Sequence, residues 1–247
     1  MRLAWRELAR GRYVLLWVTI VVLAGSAAAL YRVYENNKPL TTISELPGEA
    51  RQSTAPGGAP PAPVSLGDVL ELRRAELERD RNAPVLGNPA GDVTVVEFFD
   101  YNCPYCKRMS GDVRKLIEAD RGVRLVYREW PIINKASLFA ARAALAARRQ
   151  GKYAELHRAL MAQRRVTEAL VLQLARRTGI DIPRLLDDMN DRSIDRHIAL
   201  SFDLARSLGI TGTPSFVIGD TVARGAISLD ELAELVRKAR AARGHRR

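Results

Sequence analysis

An α/β fold with a helical block set inside it is predicted by three features of the sequence. The run Val93-Thr94-Val95-Val96-Glu97-Phe98-Phe99 has the length and the β-branched, aromatic composition of a strand. It leads into Cys103-Pro104-Tyr105-Cys106, after which a helical pattern continues to about Ala119. Far downstream, Thr211-Gly212-Thr213-Pro214 opens another short apolar strand, and most of the chain between is helical in pattern. With 247 residues, 47% hydrophobic and 27% charged, there is room for one ordinary domain plus accessory segments. Those proportions exclude a disordered, collagen-like, mucin-like or multi-span membrane chain.

The N-terminal segment 1–12 carries Arg2, Arg6, Arg10 and Arg12, and Tyr13 to Tyr31 then runs without a charge. A bilayer core takes about 20 apolar residues of helix, so 13–31 is predicted to be a transmembrane anchor. The preceding arginines keep the N-terminus in the cytoplasm and put everything beyond Arg32 on the far side. Ala27-Ala28-Ala29 offers a signal peptidase its small residues, but the apolar run is longer than a signal h-region, which favours a retained anchor. Residues 32–64 hold Pro39, Pro47, Pro56, Pro60, Pro61, Pro63 and Gly57-Gly58, the composition of a flexible, semi-extended linker. Ser65 is placed to cap a short, weakly amphipathic helix over 65–82 with Leu66, Val69, Leu70 and Leu77 apolar and many charges between them.

The turn Asn88-Pro89-Ala90-Gly91 precedes the first strand, and Val123 to Glu129 reads as a second, leading to Trp130-Pro131. Helical patterns follow over Ala136–Ala162 with a break near Gly151, Thr167–Thr178, Pro183–Met189 and Ile194–Leu208, the last ended by Gly209. Phe216–Ile218 and Thr221–Arg224 make a hairpin about Gly219-Asp220, and Ser228 with Glu231 forms a capping box for a final helix. The tail from Arg240 is expected to fray, with 241–247 a basic tail.

The net charge of +11 raises nucleic acid as a partner, but only six of the 39 basic residues are lysine, and the arginines are spread among acids along the whole chain. A recognition stripe would cluster them, so no nucleic-acid partner is expected. The two cysteines, Cys103 and Cys106, stand too close in sequence for a long-range structural disulfide. Pro104 suits a first helical turn, which puts Cys103 at the helix N-terminus, where the dipole and free N–H groups favour a thiolate. Cys103 is then the attacking nucleophile, and Cys106, one turn further in, the resolving thiol. A zinc site needs two further ligands, and His157, His197 and His245 lack the spacing, so neither metal nor cofactor is expected. Glu97 is a carboxylate within an apolar strand: either it faces solvent on an edge, or it is buried and accepts the proton of Cys106.

The segment from Val96 to Cys106, taken with Thr211-Gly212-Thr213-Pro214, resembles the thioredoxin-fold thiol–disulfide oxidoreductases of the DsbA family, most of all the periplasmic branch that includes ScsC-like proteins. The resemblance implies a thioredoxin fold with an inserted all-helical domain, covering about 83–240 with the insertion at about 134–209. It implies that Pro214 is cis and faces the cysteine pair, that the Thr213 backbone binds an incoming peptide as an added strand, with Pro104 and Tyr105 also contacting substrate, and that Glu97 is a buried acid of the family. Thiol-containing protein substrates and a membrane redox partner, either a quinone-linked oxidase or a transmembrane reductase, are the implied partners, with the catalytic domain in the periplasm. Oxidase chemistry is favoured. Pro104-Tyr105 with Thr213 resembles the isomerase pairing of DsbG-like proteins, which keeps an isomerase or reductase in view, and a non-catalytic chaperone module is a third reading.

Overall fold

A computed structural model describes residues 64–244. The anchor expected at 13–31, the linker apart from Val64, and residues 245–247 of the tail lie outside them. Among the described residues no helix is long and apolar enough to cross a membrane.

Helix α1 (Leu66–Arg79) starts where Ser65 ends its extended conformation. The Asp68 N–H donates to Ser65 Oγ and the Ser65 N–H to the Asp68 carboxylate, a reciprocal cap that satisfies two otherwise unpaired donors. Leu70 and Leu77, two turns apart and therefore on one face, are buried. Each contributes about 1.5–3 kcal/mol by leaving water.

The sheet has five strands, β1 (Val85–Gly87), β2 (Val93–Phe99), β3 (Val123–Glu129), β4 (Ser215–Ile218) and β5 (Thr221–Arg224), in the order β1-β3-β2-β4-β5. The two β-branched runs form β2 and β3 with the bounds expected from sequence, whereas β1, only three residues long, has no such run to announce it. β2 pairs parallel to β3 and antiparallel to β4, which makes it the central strand. A parallel pair needs a crossover, and α2 (Pro104–Ala119) supplies it. Side chains alternate along β2: Val95 and Phe99 enter the core that also holds Cys106, Met109 and Val113 of α2, while Val96 and Phe98 pack with Leu70, Leu77 and Trp130 in a second core. Glu97, between Val95 and Phe99 in the alternation, therefore faces the core under α2.

Between β3 and β4 the chain forms α3 (Lys135–Ala147), α4 (Tyr153–Met161), α5 (Glu168–Arg177), α6 (Ile182–Asp188) and α7 (Arg192–Ser207), with a short 3-10 turn at Arg148–Gln150. Asn134, Thr167, Asp181 and Asp191 cap four of these helices with side-chain oxygens. Alanines along α3 let neighbouring helices approach closely, and Ala140, Ala143, Ala144 and Ala147 are fully buried.

The last helix, α8 (Leu229–Gly244), begins with the Glu231 N–H on Ser228 Oγ at 3.2 Å. It does not fray from Arg240 as the sequence suggested. Arg240 pairs with Asp92 at 2.6 Å and Asp120 at 2.9 Å, and Arg243 donates to the Asp92 carbonyl, so the start of β2 and the end of α2 hold the final turn in place.

Candidate active site

Cys103 is the N-cap of α2. Its backbone is extended (φ −73°, ψ 118°), and its sulfur accepts the Cys106 N–H at 3.4 Å. The Cys103 thiol also donates to the Thr213 carbonyl at 3.2 Å, which brings two segments 110 residues apart in sequence into contact. Pro104 occupies the first helical position, exposed, where its missing N–H leaves no bond unmade. Cys106 is 0% exposed beneath, and both thiols are free.

The two sulfurs differ strongly. Cys103 is pushed down to about 5: the hydrogen bond from the Cys106 side chain leads, and bonds from the Thr213 side chain and the Cys106 and Tyr105 backbone add to it, together outweighing burial. The Thr213 carbonyl can accept only while Cys103 keeps its proton, so it opposes ionisation, but the several donors win. Cys106 moves the other way, above the ordinary thiol range, because burial disfavours its thiolate, its bond to Cys103 fixes its proton, and Glu97 adds like charge.

Glu97 is 1% exposed. The solvent-facing edge position is ruled out, because β3 and β4 flank it, with Tyr127 and Phe216 opposite. Burial first, and then the charge of Cys103, push its carboxyl up to about 8, and among the described residues no hydrogen bond or cation counteracts them. Such a group can hold or release a proton near neutral pH.

The Thr213–Pro214 peptide bond is cis. Pro214 is buried and Thr213 half-buried, and the Ser215 hydroxyl donates to the Gly212 carbonyl at 2.8 Å, tightening the loop before β4. Tyr105 is 54% exposed, with the Arg108 guanidinium 4.2 Å above its ring. All seven residues singled out from sequence thus lie on α2 and its N-cap, the central strand beneath, or the loop facing them.

The sequence reading missed the residues that hold this loop. Buried Asp100 accepts the Asn102 N–H at 2.6 Å and the Ile133 N–H at 3.0 Å, joining the approach to Cys103 to the segment after β3. Asn102 accepts the Val166 N–H at 2.8 Å and donates to the Val166 carbonyl at 3.1 Å, fixing the same loop to the helical block. Asp and Asn just before a helix are the available signal, since both types bond backbone groups in turns. A second buried acid, Glu129 at the end of β3, accepts from the Tyr153 hydroxyl at 2.6 Å and bonds His197 Nε2 at 2.8 Å; His197 Nδ1 reaches Asp80 at 3.0 Å, and Arg128 pairs with Asp80 at 2.7 Å.

The family model of the DSBA-like thioredoxin domain matches residues 94–237. Among solved structures, a thioredoxin-like oxidoreductase from Silicibacter pomeroyi is 54% identical, with a TM-score of 0.67 over 68% of this chain and 98% of that one. The catalytic domain of Proteus mirabilis ScsC is 28% identical, with a TM-score of 0.66 over 72% of this chain and 99% of that one. Among curated proteins, the Na(+)/H(+) antiporter NhaA 3 of Salinispora tropica is 32% identical over 193 residues, which are 77% of this chain but 28% of the antiporter. The chain thus spans less than a third of the first curated relatives it matches.

Proposed function

The chain belongs to the DsbA-like thioredoxin domain family, and on that premise we propose that it is a thiol–disulfide oxidoreductase acting as an oxidase on protein thiols in the periplasm, tethered by 13–31 as a single-pass inner-membrane anchor. In the oxidised protein a substrate thiolate attacks Cys103 Sγ. The Cys103–Cys106 bond breaks, and Cys106 leaves, taking a proton from Glu97. A second substrate thiolate then attacks the substrate sulfur of the mixed disulfide and frees Cys103 as a thiolate. The substrate gains a disulfide, the cysteine pair is reduced by two electrons, and a quinone-linked membrane oxidase that accepts those electrons resets the pair to the disulfide; in the isomerase or reductase reading a transmembrane reductase would instead keep the pair reduced. Run backwards, the same steps make Glu97 the acceptor of the Cys106 proton. Pro104 and Tyr105 flank the peptide, and the Thr213 backbone pairs with it as an added strand beside Pro214.

The observation that carries the oxidase reading is the lowered Cys103, about 5. A stable thiolate favours the reduced pair and makes Cys103 a good leaving group, so the disulfide is a strong oxidant. Equilibration with glutathione tests it. An oxidase requires a potential well above the roughly −270 mV of thioredoxin, towards the roughly −120 mV of DsbA. A value at or below that of thioredoxin would assign the chain to the reductases. The isomerase reading, supported by Pro104-Tyr105 and Thr213, predicts instead that scrambled disulfides are repaired faster than reduced chains are oxidised. For the tether, alkaline extraction should leave the protein in the membrane pellet, and a soluble form beginning near Leu30 would show cleavage.

A further inference from the structure

Between α2 and α4 lies a cavity of about 770 Å³ that the thiol chemistry does not use. Its inner wall consists of buried Tyr127, His157 and Met161 with half-buried Leu86 and Ile117. His157 bonds the Tyr101 hydroxyl through Nδ1 at 3.0 Å, which fixes its ring in the wall. The rim is cationic, with exposed Arg108, Arg114, Arg158 and Arg164. Glu118, the one acid on the lining, is taken by Arg114 at 3.4 Å, and Arg108 lies over Tyr105. Arg158 and Arg164 are left with no acid partner among the described residues. Lys107 adds a further positive charge on the α2 side, its Nζ enclosed and without a hydrogen-bond partner.

Gly111 supplies an independent observation. It sits in the interior of α2, where glycine weakens a helix relative to alanine. A Cβ built on it meets nothing within 4 Å, so no close packing demands glycine there. It lines the cavity, and its effect is to keep that space open.

We propose that this cavity binds a single-chain anionic amphiphile, a medium-chain fatty carboxylate, with its head between Arg158 and Arg164 and its tail along Leu86, Ile117, Tyr127 and Met161. The volume lies within the range of about 300–1,000 Å³ usual for small-molecule sites. The charge selects the head: an apolar wall alone would take any hydrocarbon, whereas unpaired arginines at the mouth of an apolar-walled cleft favour a carboxylate that can bridge them. The cavity meets the thiol site only at Lys107 and Arg108, while Gly111, Arg158 and Arg164 are not part of the thiol machinery, so binding at the head and thiol exchange can be lost independently.

Decanoate titrated into the reduced protein by calorimetry tests the assignment, with decan-1-ol and decyltrimethylammonium as comparisons. Decanoate should bind saturably at one site, about tenfold or more tighter than either comparison. Gly111→Leu fills the cavity from a helical position that accepts a side chain, and should weaken decanoate by about tenfold or more while insulin reduction and the circular dichroism spectrum stay as in the wild type. The surface pair Arg158→Glu and Arg164→Glu, which leaves the core untouched, should weaken decanoate and strengthen decyltrimethylammonium. Equal affinity for decanoate and decan-1-ol would overturn the proposal. So would undiminished decanoate binding in a folded Gly111→Leu variant, or binding to anionic vesicles without any to free decanoate.

Discussion

Glu97 and Glu129 stand on adjacent parallel strands, both essentially shut off from water, yet they are opposite kinds of group. Glu129 is enclosed by donors: the Tyr153 hydroxyl on one oxygen, the His197 ring on the other, with Asp80 and Arg128 closing the network that joins β3 to α7 and the end of α1. Glu97 has an apolar strand around it and a thiolate above it, and its carboxyl is held at about 8. Burial is the same in both. A partnered buried acid fixes structure, because removing it strands the groups it satisfied, while an unpartnered one stores a proton.

The largest way to break this contrast lies at the thiol beside Glu97. Cys103→Ser removes the only sulfur that can meet substrate and should reduce disulfide exchange to the uncatalysed rate, whereas Cys106→Ser should accumulate mixed disulfides on a non-reducing gel. Retained turnover in Cys103→Ser would dismantle the assignment. Next comes the same change made at each acid. Glu129→Gln keeps the size but breaks the buried network, and should lower unfolding free energy in urea by about 3 kcal/mol. Glu97→Gln should not. Its effect is kinetic: the step that needs Cys106 should slow by about 10²-fold in stopped-flow, at the low end for a lost general base because water can substitute. Initial attack by Cys103 should change far less.

The smallest effect concerns stability against pH. Folded Glu97 keeps its proton to about 8, whereas in the unfolded chain it is released near 4.5. The folded state therefore binds more protons across that window, and this group's contribution falls as pH rises from about 4.5 to 8. Glu97→Gln removes that slope. At pH 8 the variant should be more stable by about 1–2 kcal/mol, less than the full linkage because a buried amide without partners has its own cost. In the oxidised protein the Cys103 charge is gone, so an NMR titration should find Glu97 lower than in the reduced protein, though still raised by burial.

The sequence revealed the parts of the fold that rest on local patterning. β2 and β3 are dense β-branched runs, and α1 and α8 begin at serines followed three residues later by an acid, so their positions follow from composition. The cysteine pair and the buried acid were legible because each is out of place in its surroundings. The Glu129 network was not, since Asp80 at the end of α1, Arg128 and Glu129 on β3, Tyr153 on α4 and His197 on α7 are far apart in the chain and each alone looks like an ordinary polar residue. Asp100 and Asn102 stood inside the recognised motif, but their roles depend on Ile133 and Val166, segments that only tertiary packing brings near. The persistence of α8 to Gly244 has the same origin, because Asp92 and Asp120 are remote in sequence from the arginines they hold.

The fold distributes two protons over Cys103, Cys106 and Glu97 so that only Cys103 is ionised at neutral pH. Iodoacetamide alkylation of the fully reduced wild-type protein from pH 3 to 9, with the modified residue located by mass spectrometry, tests this most directly. Modification should fall on Cys103 alone, with a rate that titrates near 5, as the donors around that sulfur require. A midpoint near the ordinary thiol value of about 8.5, or equal modification of Cys106, would contradict it.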